Sequence, residues 1–179
     1  MELTDGEILT LFRDPEQKKK GFSLLVKKYQ KPLYWHIRRM VSQHDDANDV
    51  IQNTFLKAWQ GLDNFRSDAQ LYTWLYRIAT NESINFINKE KKHFATDLDE
   101  VSVAKNLTYS ASPDGDSNKN KLKSAIEKLP EKQRAVFSLR YFEEMKYEDM
   151  SVVMETSVGA LKASYFHAVK KIEDYILGH

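Results

Sequence analysis

The sequence predicts an all-α protein made of two small helical domains that are joined by a flexible acidic linker. Apolar residues recur at intervals of three and four over most of the 179 residues, as on the buried face of a helix. The six glycines and four prolines are too few for a turn-rich β fold. The helical spacing stops over residues 95–120, which places a front domain at 1–94 and a rear domain at 121–179.

Three helices are expected in the front domain. The first covers about 22–40 and contains Pro32, which should kink the helix or divide it. The second covers roughly 46–60, with Gly61 as a plausible stop. The third covers about 72–92 and follows a polar loop.

Four helices are expected in the rear domain. One ends at Pro130, where the next can open. Two shorter helices follow near 147–154 and 158–177. Ser157 stands just before the last helix, and its hydroxyl can cap an unpaired amide of the first turn.

Composition narrows the classes of protein that fit. Charged residues make up 30% of the chain and hydrophobic residues 41%, as in globular proteins. No stretch approaches the roughly 20 apolar residues of a membrane span, and the acidic N-terminus does not resemble a signal peptide. The absence of cysteine excludes disulfides and thiolate chemistry. A soluble cytoplasmic protein is expected.

The net charge of +1 hides an uneven distribution. Residues 1–94 hold 15 Lys and Arg against 12 Asp and Glu, whereas the linker holds 2 against 5 and residues 121–179 hold 10 against 9. The acidic middle cancels the basic front half. A nucleic-acid surface must therefore be sought locally rather than from the overall charge.

The last helix has two unlike faces. One is an apolar stripe expected to be core, which consists of Leu161, Tyr165, Ala168, Ile172 and Ile176. The opposite face combines small residues, two lysines, a ring and an imidazole, namely Gly159, Lys162, Ala163, Phe166, His167 and Lys170. A short helix, a tight turn and such a helix are typical of a helix-turn-helix that enters the DNA major groove. The alternative is a helical hairpin with a solvated outer face, although an outward ring at Phe166 favours binding.

The second helix begins with an acidic, amide-bearing face. Asp49 and Gln52 share that face, and Asp46 lies close by. Such a face beside an apolar stripe that includes Phe55 suits a basic partner helix. The alternative is an acidic first turn that only complements the helix dipole.

The loop and third helix combine aromatic, amide and cationic side chains. These are Phe65, Tyr72, Trp74 and Tyr76 with Arg66 and Arg77, followed by Asn81, Asn85, Asn88 and Lys92. Rings stack on unpaired bases, amides read base edges and cations follow phosphates, so the segment suits single-stranded nucleic acid. Some of the rings must be core, and Trp74 is expected to be one of them.

Together, these segments resemble an extracytoplasmic-function (group 4) sigma factor of bacterial RNA polymerase. Residues 46–59 resemble its polymerase-binding helix, and residues 65–81 resemble its promoter-melting, minus-10-reading segment. Parts of 129–162 resemble its minus-35-binding domain. The order and spacing of these motifs are more specific than any one of them.

The resemblance implies roles for individual residues. Asp46, Asp49, Gln52 and Phe55 would bind the clamp helices of the polymerase beta-prime subunit. The single-stranded minus-10 element would contact Phe65, Arg66, Asp68, Ala69, Gln70, Tyr72, Trp74, Arg77 and Asn81, with the 65–72 loop capturing a flipped base. The minus-35 element would face Ser157, Gly159, Lys162, Ala163, Phe166, His167 and Lys170.

The resemblance also implies partners. These are bacterial core RNA polymerase, including its beta flap, promoter DNA and an anti-sigma factor, with no cofactor and no small-molecule substrate. The acidic linker would thread the polymerase channels near the active site. Many relatives carry arginine where this chain has Ser164 and His167, so fewer phosphate contacts and a different minus-35 preference are expected.

Other classes of function fit less well. A repressor or activator that binds duplex DNA unaided would explain the rear domain but not the aromatic, amide-rich 65–81 segment. An enzyme is disfavoured because the five histidines have no metal-ligand spacing and no phosphate loop or nucleophile elbow occurs. A scaffold that binds only other proteins is a further alternative.

Overall fold

The computed structural model describes residues 3–100 and 117–178, including the side chains of all of these except 97–100. The front domain contains α1 (Asp5–Arg13), α2 (Lys18–Met40), α3 (His44–Gly61), a short 3-10 turn (Leu62–Asn64) and α4 (Leu71–Glu100). The rear domain contains α5 (Ser117–Glu127), α6 (Glu131–Tyr141), α7 (Tyr147–Met154) and α8 (Val158–Leu177). Within the described ranges there is no strand, and the all-α class is confirmed.

Helix α2 forms the centre of the front domain. Leu25, Leu33 and Ile37 are completely buried on the face that α3 and α4 cover. The helix is continuous from Lys18 to Met40, so Pro32 does not divide it. A proline removes only one hydrogen bond of the helix, and burial of Tyr29 and Leu33 on either side holds the backbone in place.

Helix α1 is an element that the apolar spacing did not reveal. Thr4 caps it: the Glu7 amide donates to Thr4 Oγ1 at 3.3 Å, and the Thr4 amide donates to Glu7 Oε2 at 2.8 Å. This Thr-x-x-Glu capping box is readable in the sequence. The helix packs closely on α2, because a Cβ atom on Gly21 would lie 2.5 Å from the Phe12 nitrogen.

The rear domain is built around α6 and α8. Ala125, Ile126, Phe137, Ala168 and Ile172 form part of its buried core. The predicted core stripe of α8 holds as far as Ile172 and is wrong at Ile176, which is 39% exposed. Tyr175 and Leu177 are exposed as well, so the last turn of α8 projects beyond the packed elements.

The two domains pack directly against each other. Helices α6 and α7 lie on α2 and α4, and buried residues of both domains form one continuous apolar cluster. Arg134 of α6 fastens this contact, since its Nη1 donates to the Met40 carbonyl at 2.6 Å. The buried ring of His36 lies in the same contact, with Nε2 2.8 Å from Thr80 Oγ1 and Nδ1 3.4 Å from Ser138 Oγ.

Both ends of the predicted linker are helical. Helix α4 continues to Glu100 and α5 begins at Ser117, whereas the linker was expected over 95–120. Residues 91–95 lack a glycine or proline stop and contain good helix formers, which lets α4 continue without core contacts. The rest of the predicted flexible linker, residues 101–116, lies outside the described residues.

Candidate nucleic-acid interface

The turn between α7 and α8 fixes the start of the last helix. Glu155 takes the left-handed conformation, with φ 51° and ψ 44°, and reverses the chain. Ser151 Oγ donates to the Thr156 carbonyl at 2.6 Å, which ties the turn to α7. Ser157 then caps α8 by accepting the Ala160 amide at 3.2 Å, so the predicted cap is confirmed.

The polar face of α8 points into solvent. Each of the residues predicted to face DNA is exposed, namely Ser157, Gly159, Lys162, Ala163, Phe166, His167 and Lys170. The Phe166 ring is 67% exposed, and its one aromatic neighbour among residues 3–100 and 117–178 is His167, with ring centroids 5.7 Å apart. The ion pair between Lys170 and Asp174 is a surface contact of 3.7 Å and exchanges readily for another anion. This face is open to a ligand.

The loop before α4 exposes polar groups and buries its ring. Arg66, Asp68 and Gln70 are exposed and Ala69 is half-buried. Phe65 is only 7% exposed, and its ring centroid lies 5.2 Å from that of Trp74. In this structure the Phe65 ring closes the domain core beneath the loop, and its contact with a base stays a prediction.

Trp74 is half-buried between that ring and Gly61, as expected for a core residue. A Cβ atom on Gly61 would lie 3.1 Å from Trp74 Cζ2, which explains a glycine there. The φ of Gly61 is −96°, so its role is close approach rather than a left-handed helix stop.

The first turns of α4 are covered by carboxylates of the rear domain. The Tyr72 hydroxyl donates to Asp149 Oδ2 at 3.1 Å, and the Tyr76 hydroxyl donates to Glu143 Oε2 at 2.6 Å. Arg77 pairs with Glu155. Burial and the Glu143 hydrogen bond raise the pKa of Tyr76, so its hydroxyl remains a donor.

The rear-domain carboxylates that contact α4, Glu143, Asp149 and Glu155, are functional candidates that sequence reasoning missed. They lie some 70 residues away from their partners along the chain, and no local spacing links them. One turn further along α4, Asn81 is exposed.

The acidic face of α3 is exposed at its centre. Asp49 and Gln52 are exposed, and Asp46 is half-buried. Burial first, then the nearby Glu90, Asp49 and Asp45 carboxylates, raise the pKa of Asp46. Crowded carboxylates of this kind favour a basic partner.

The acidic face of α3 has an exposed apolar side chain that sequence reasoning missed. Leu56 is 56% exposed and lies four residues after Gln52, on the same face. The spacing of residues 49, 52 and 56 was a readable signal. Phe55 is half-buried and its ring stands edge-on against Phe22, with centroids 6.4 Å apart, and its contact with polymerase stays a prediction.

Two absences apply to the described part of the chain. Residues 3–100 and 117–178 contain no group of histidine and acidic side chains that could hold a metal ion. No helix in those ranges has the length and apolarity needed to cross a bilayer.

Comparisons with known proteins agree on one family. Residues 25–93 match the family model for sigma-70 region 2, and residues 119–172 match that for sigma-70 region 4. The chain is 31% identical to the ECF RNA polymerase sigma-E factor of Haemophilus influenzae, over 98% of this chain and 96% of that protein. It is 34% identical to the RNA polymerase sigma-H factor of Pseudomonas aeruginosa, over 87% of this chain and 86% of that protein.

Solved structures share the fold. The sigma factor RpoE of Bartonella quintana, solved with the anti-sigma factor NepR, aligns with a TM-score of 0.71 and 24% identity, over 88% of this chain and 97% of that chain. CnrH, solved with the cytosolic domain of CnrY, aligns with a TM-score of 0.68 and 21% identity, over 97% of this chain and 95% of that chain. With both sigma-70 regions matched and full-length relatives at 31% identity, the chain belongs to the extracytoplasmic-function sigma factors.

Proposed function

We propose that this protein is a promoter-specificity factor that binds bacterial core RNA polymerase, recognises the minus-35 and minus-10 elements and promotes DNA melting. One observation carries this function: the chain combines two features. The helix-turn-helix face of α8 is open, and the aromatic, amide-bearing helix α4 lies within the match to sigma-70 region 2. A duplex-binding regulator needs only the first of these. The chain acts in the cytoplasm, with its polymerase, and catalyses no reaction of its own.

The exposed face of α3 binds the beta-prime clamp helices. Asp49 and Gln52 supply acceptors and Leu56 an apolar contact, while Asp46 adds charge at the edge. The pKa of Asp46 is raised first by burial and then by the repulsion of neighbouring carboxylates, and a basic partner helix would relieve that repulsion. Charge complementarity of this kind speeds association and selects the partner.

The loop and the start of α4 bind the melted minus-10 strand. Arg66, Asp68, Ala69 and Gln70 line the loop at the surface, with Asn81 on the adjoining helix. Tyr72 and Arg77 are paired with Asp149 and Glu155 and become free for stacking and phosphate contacts when the rear domain moves away, and the half-buried Trp74 adds a further ring. A flipped base costs a few kcal/mol, which stacking and edge contacts offset.

The outer face of α8 reads the minus-35 major groove. Lys162, Phe166, His167 and Lys170 reach the bases and phosphates, and the small Gly159 and Ala163 allow close approach. The capped N-terminus at Ser157 directs free amides at a phosphate.

An anti-sigma factor controls the protein. Two proteins of the same fold were solved in complex with such partners, NepR and the cytosolic domain of CnrY. The beta flap of polymerase is the expected second contact of the rear domain.

In vitro transcription tests the function. The purified chain is added to bacterial core polymerase on pooled genomic fragments, and the transcript ends are sequenced. Discrete starts that depend on the chain and share two upstream motifs are expected. If the folded chain and an active core yield no new starts, the chain is instead a regulator that binds duplex DNA alone.

A further inference from the structure

Three carboxylates of the rear domain converge on three donors of the front domain. Glu143 follows α6, Asp149 lies on α7 and Glu155 lies in the turn before α8. We call these three residues the carboxylate latch. Their partners are Tyr76, Tyr72 and Arg77, respectively.

The three partners lie in the first two turns of α4. Tyr72 and Tyr76 are four positions apart and share one face, and Arg77 follows Tyr76 about 100° further around the helix, at the edge of that face. Tyr76 is 4% exposed beneath Glu143, and that carboxylate also accepts a hydrogen bond from Arg39 Nη1 at 2.6 Å. The central donor of the face is therefore both buried and satisfied within the chain.

The backbone at Glu155 supports a dedicated contact. Glu155 occupies the left-handed region, with φ 51°, where glycine or asparagine is favoured. A glycine there would relax the turn but could not reach Arg77. The side chain pairs with Arg77 although its own backbone conformation is unfavourable.

The chemistry of the latch matches that of a nucleic acid. Phenol hydroxyls and a guanidinium donate to phosphate oxygens and base acceptors, and carboxylate oxygens accept the same hydrogen bonds. The contact is intramolecular, because residues 101–116 connect the domains, and short connections give millimolar effective concentrations. A latch of modest strength can thus compete with DNA.

We propose that the rear domain acts as an intramolecular competitor for the minus-10 strand, with Glu143, Asp149 and Glu155 occupying the donors of α4 until polymerase separates the domains. This regulation rests on the proposed function of α4 in minus-10 recognition. It is one-sided: in the free chain the rear domain covers Tyr72, Tyr76 and Arg77 of α4 and leaves the α8 face open.

The test compares two triple variants of the full chain. The first removes the latch as Glu143→Ala, Asp149→Ala and Glu155→Ala. The second is a matched control, Glu144→Ala, Glu148→Ala and Glu173→Ala, which changes the net charge equally at three exposed positions of the rear domain. Glu144 also has a left-handed backbone, with φ 50°, and Glu148 lies beside Asp149 in the first turn of α7, so both triples carry the same kinds of backbone change.

The probe is a fluorescein-labelled pool of random single-stranded DNA about 12 nucleotides long, and fluorescence anisotropy gives the dissociation constant. The latch triple should bind about tenfold more tightly than the control triple, since three modest contacts no longer compete. Equal dissociation constants for the two triples would overturn the latch. If circular dichroism shows that a triple is unfolded, the single variants Glu155→Gln and Glu144→Gln are compared instead. The Glu155→Gln variant should then bind the DNA about twofold more tightly than the Glu144→Gln variant.

Core-dependent transcription by the wild-type chain separates the two proposals. If the wild-type chain supports transcription but the two triple variants bind DNA equally, the latch is excluded and the proposed function stands. Absence of transcription would remove the proposed function, whatever the anisotropy shows.

Discussion

The two faces that we propose to bind DNA, on α4 and α8, carry similar chemistry but differ in what covers them. On α8, Phe166 and the cations beside it are exposed, and Lys170 pairs at the surface with Asp174 of the same helix. On α4, Tyr76 is buried beneath Glu143, and Arg77 is paired with Glu155. The composition of a face therefore does not decide its availability, which depends on the element packed against it.

The difference has a physical origin. The donors on α4 lie beside the apolar contact between the domains, where an unpaired polar group would be costly. The carboxylates of the rear domain satisfy them. The polar groups of α8 lie on the far side of the rear domain, where water satisfies them without a protein partner.

The largest effect is expected on the acidic face of α3, which is exposed like the α8 face. Asp49→Lys should lower core-dependent transcription by about a hundredfold, because it opposes a basic partner with a like charge. Binding of the full chain to core polymerase, measured by surface plasmon resonance, checks this. Glu16→Lys makes the same charge change at an exposed site of the front domain and should bind normally. Equal affinities for the two variants would exclude Asp49 from the interface.

Acid should weaken the contact that covers the α4 face. Burial, and to a lesser degree Arg39, lowers the pKa of His36 from 6.5 to about 3. Above pH 6.5 the ring is neutral in the folded and unfolded chains; between 6.5 and 3 only the unfolded chain takes up the proton, so stability falls as the pH falls. Proton uptake by His36 in the unfolded chain should therefore lower the free energy of unfolding by about 2 kcal/mol between pH 6.5 and pH 5.

Guanidinium unfolding at several pH values measures that dependence. His36→Gln cannot take up the proton, and its unfolding free energy should change less over the same range. Parallel pH profiles for the variant and the wild type would show that His36 does not contribute.

A smaller effect is expected on the open face. Lys162→Ala combined with Phe166→Ala should weaken promoters with a minus-35 element by about tenfold, because two base-facing side chains are lost. Initial transcription rates check this on matched templates. On templates with that element scrambled, the variant and the wild type should be equal, and an equal loss on both would contradict base reading by α8.

The smallest effect is expected at Asn81. Asn81→Ala removes one exposed amide and should slow open-complex formation by about threefold, while initial promoter binding stays unchanged. Permanganate footprints taken over time follow the melted thymines. If the Asn81→Ala variant melts the promoter at the normal rate, Asn81 is not part of the minus-10 pocket.

Local patterns predicted much of the molecule. The bounds of α7 and α8, the Ser157 cap and the break at Pro130 follow from spacing and capping preferences that act within a few residues. Local patterns did not show how the rings of Phe65 and Phe55 pack: Phe65 is buried against Trp74, and Phe55 is half-buried against Phe22. A ring at the edge of an apolar stripe can turn either way, and only its neighbours in space decide.

The helices from α2 onward, their apolar faces and the motifs of a two-domain sigma factor depend on short-range spacing and were predictable from the amino-acid order. The packing of the domains was not, and neither was the contact by which Glu143, Asp149 and Glu155 cover α4 while α8 remains open. Contacts between residues some 70 positions apart leave no periodic trace in the chain. They arise because buried donors on one domain require acceptors that the other domain supplies.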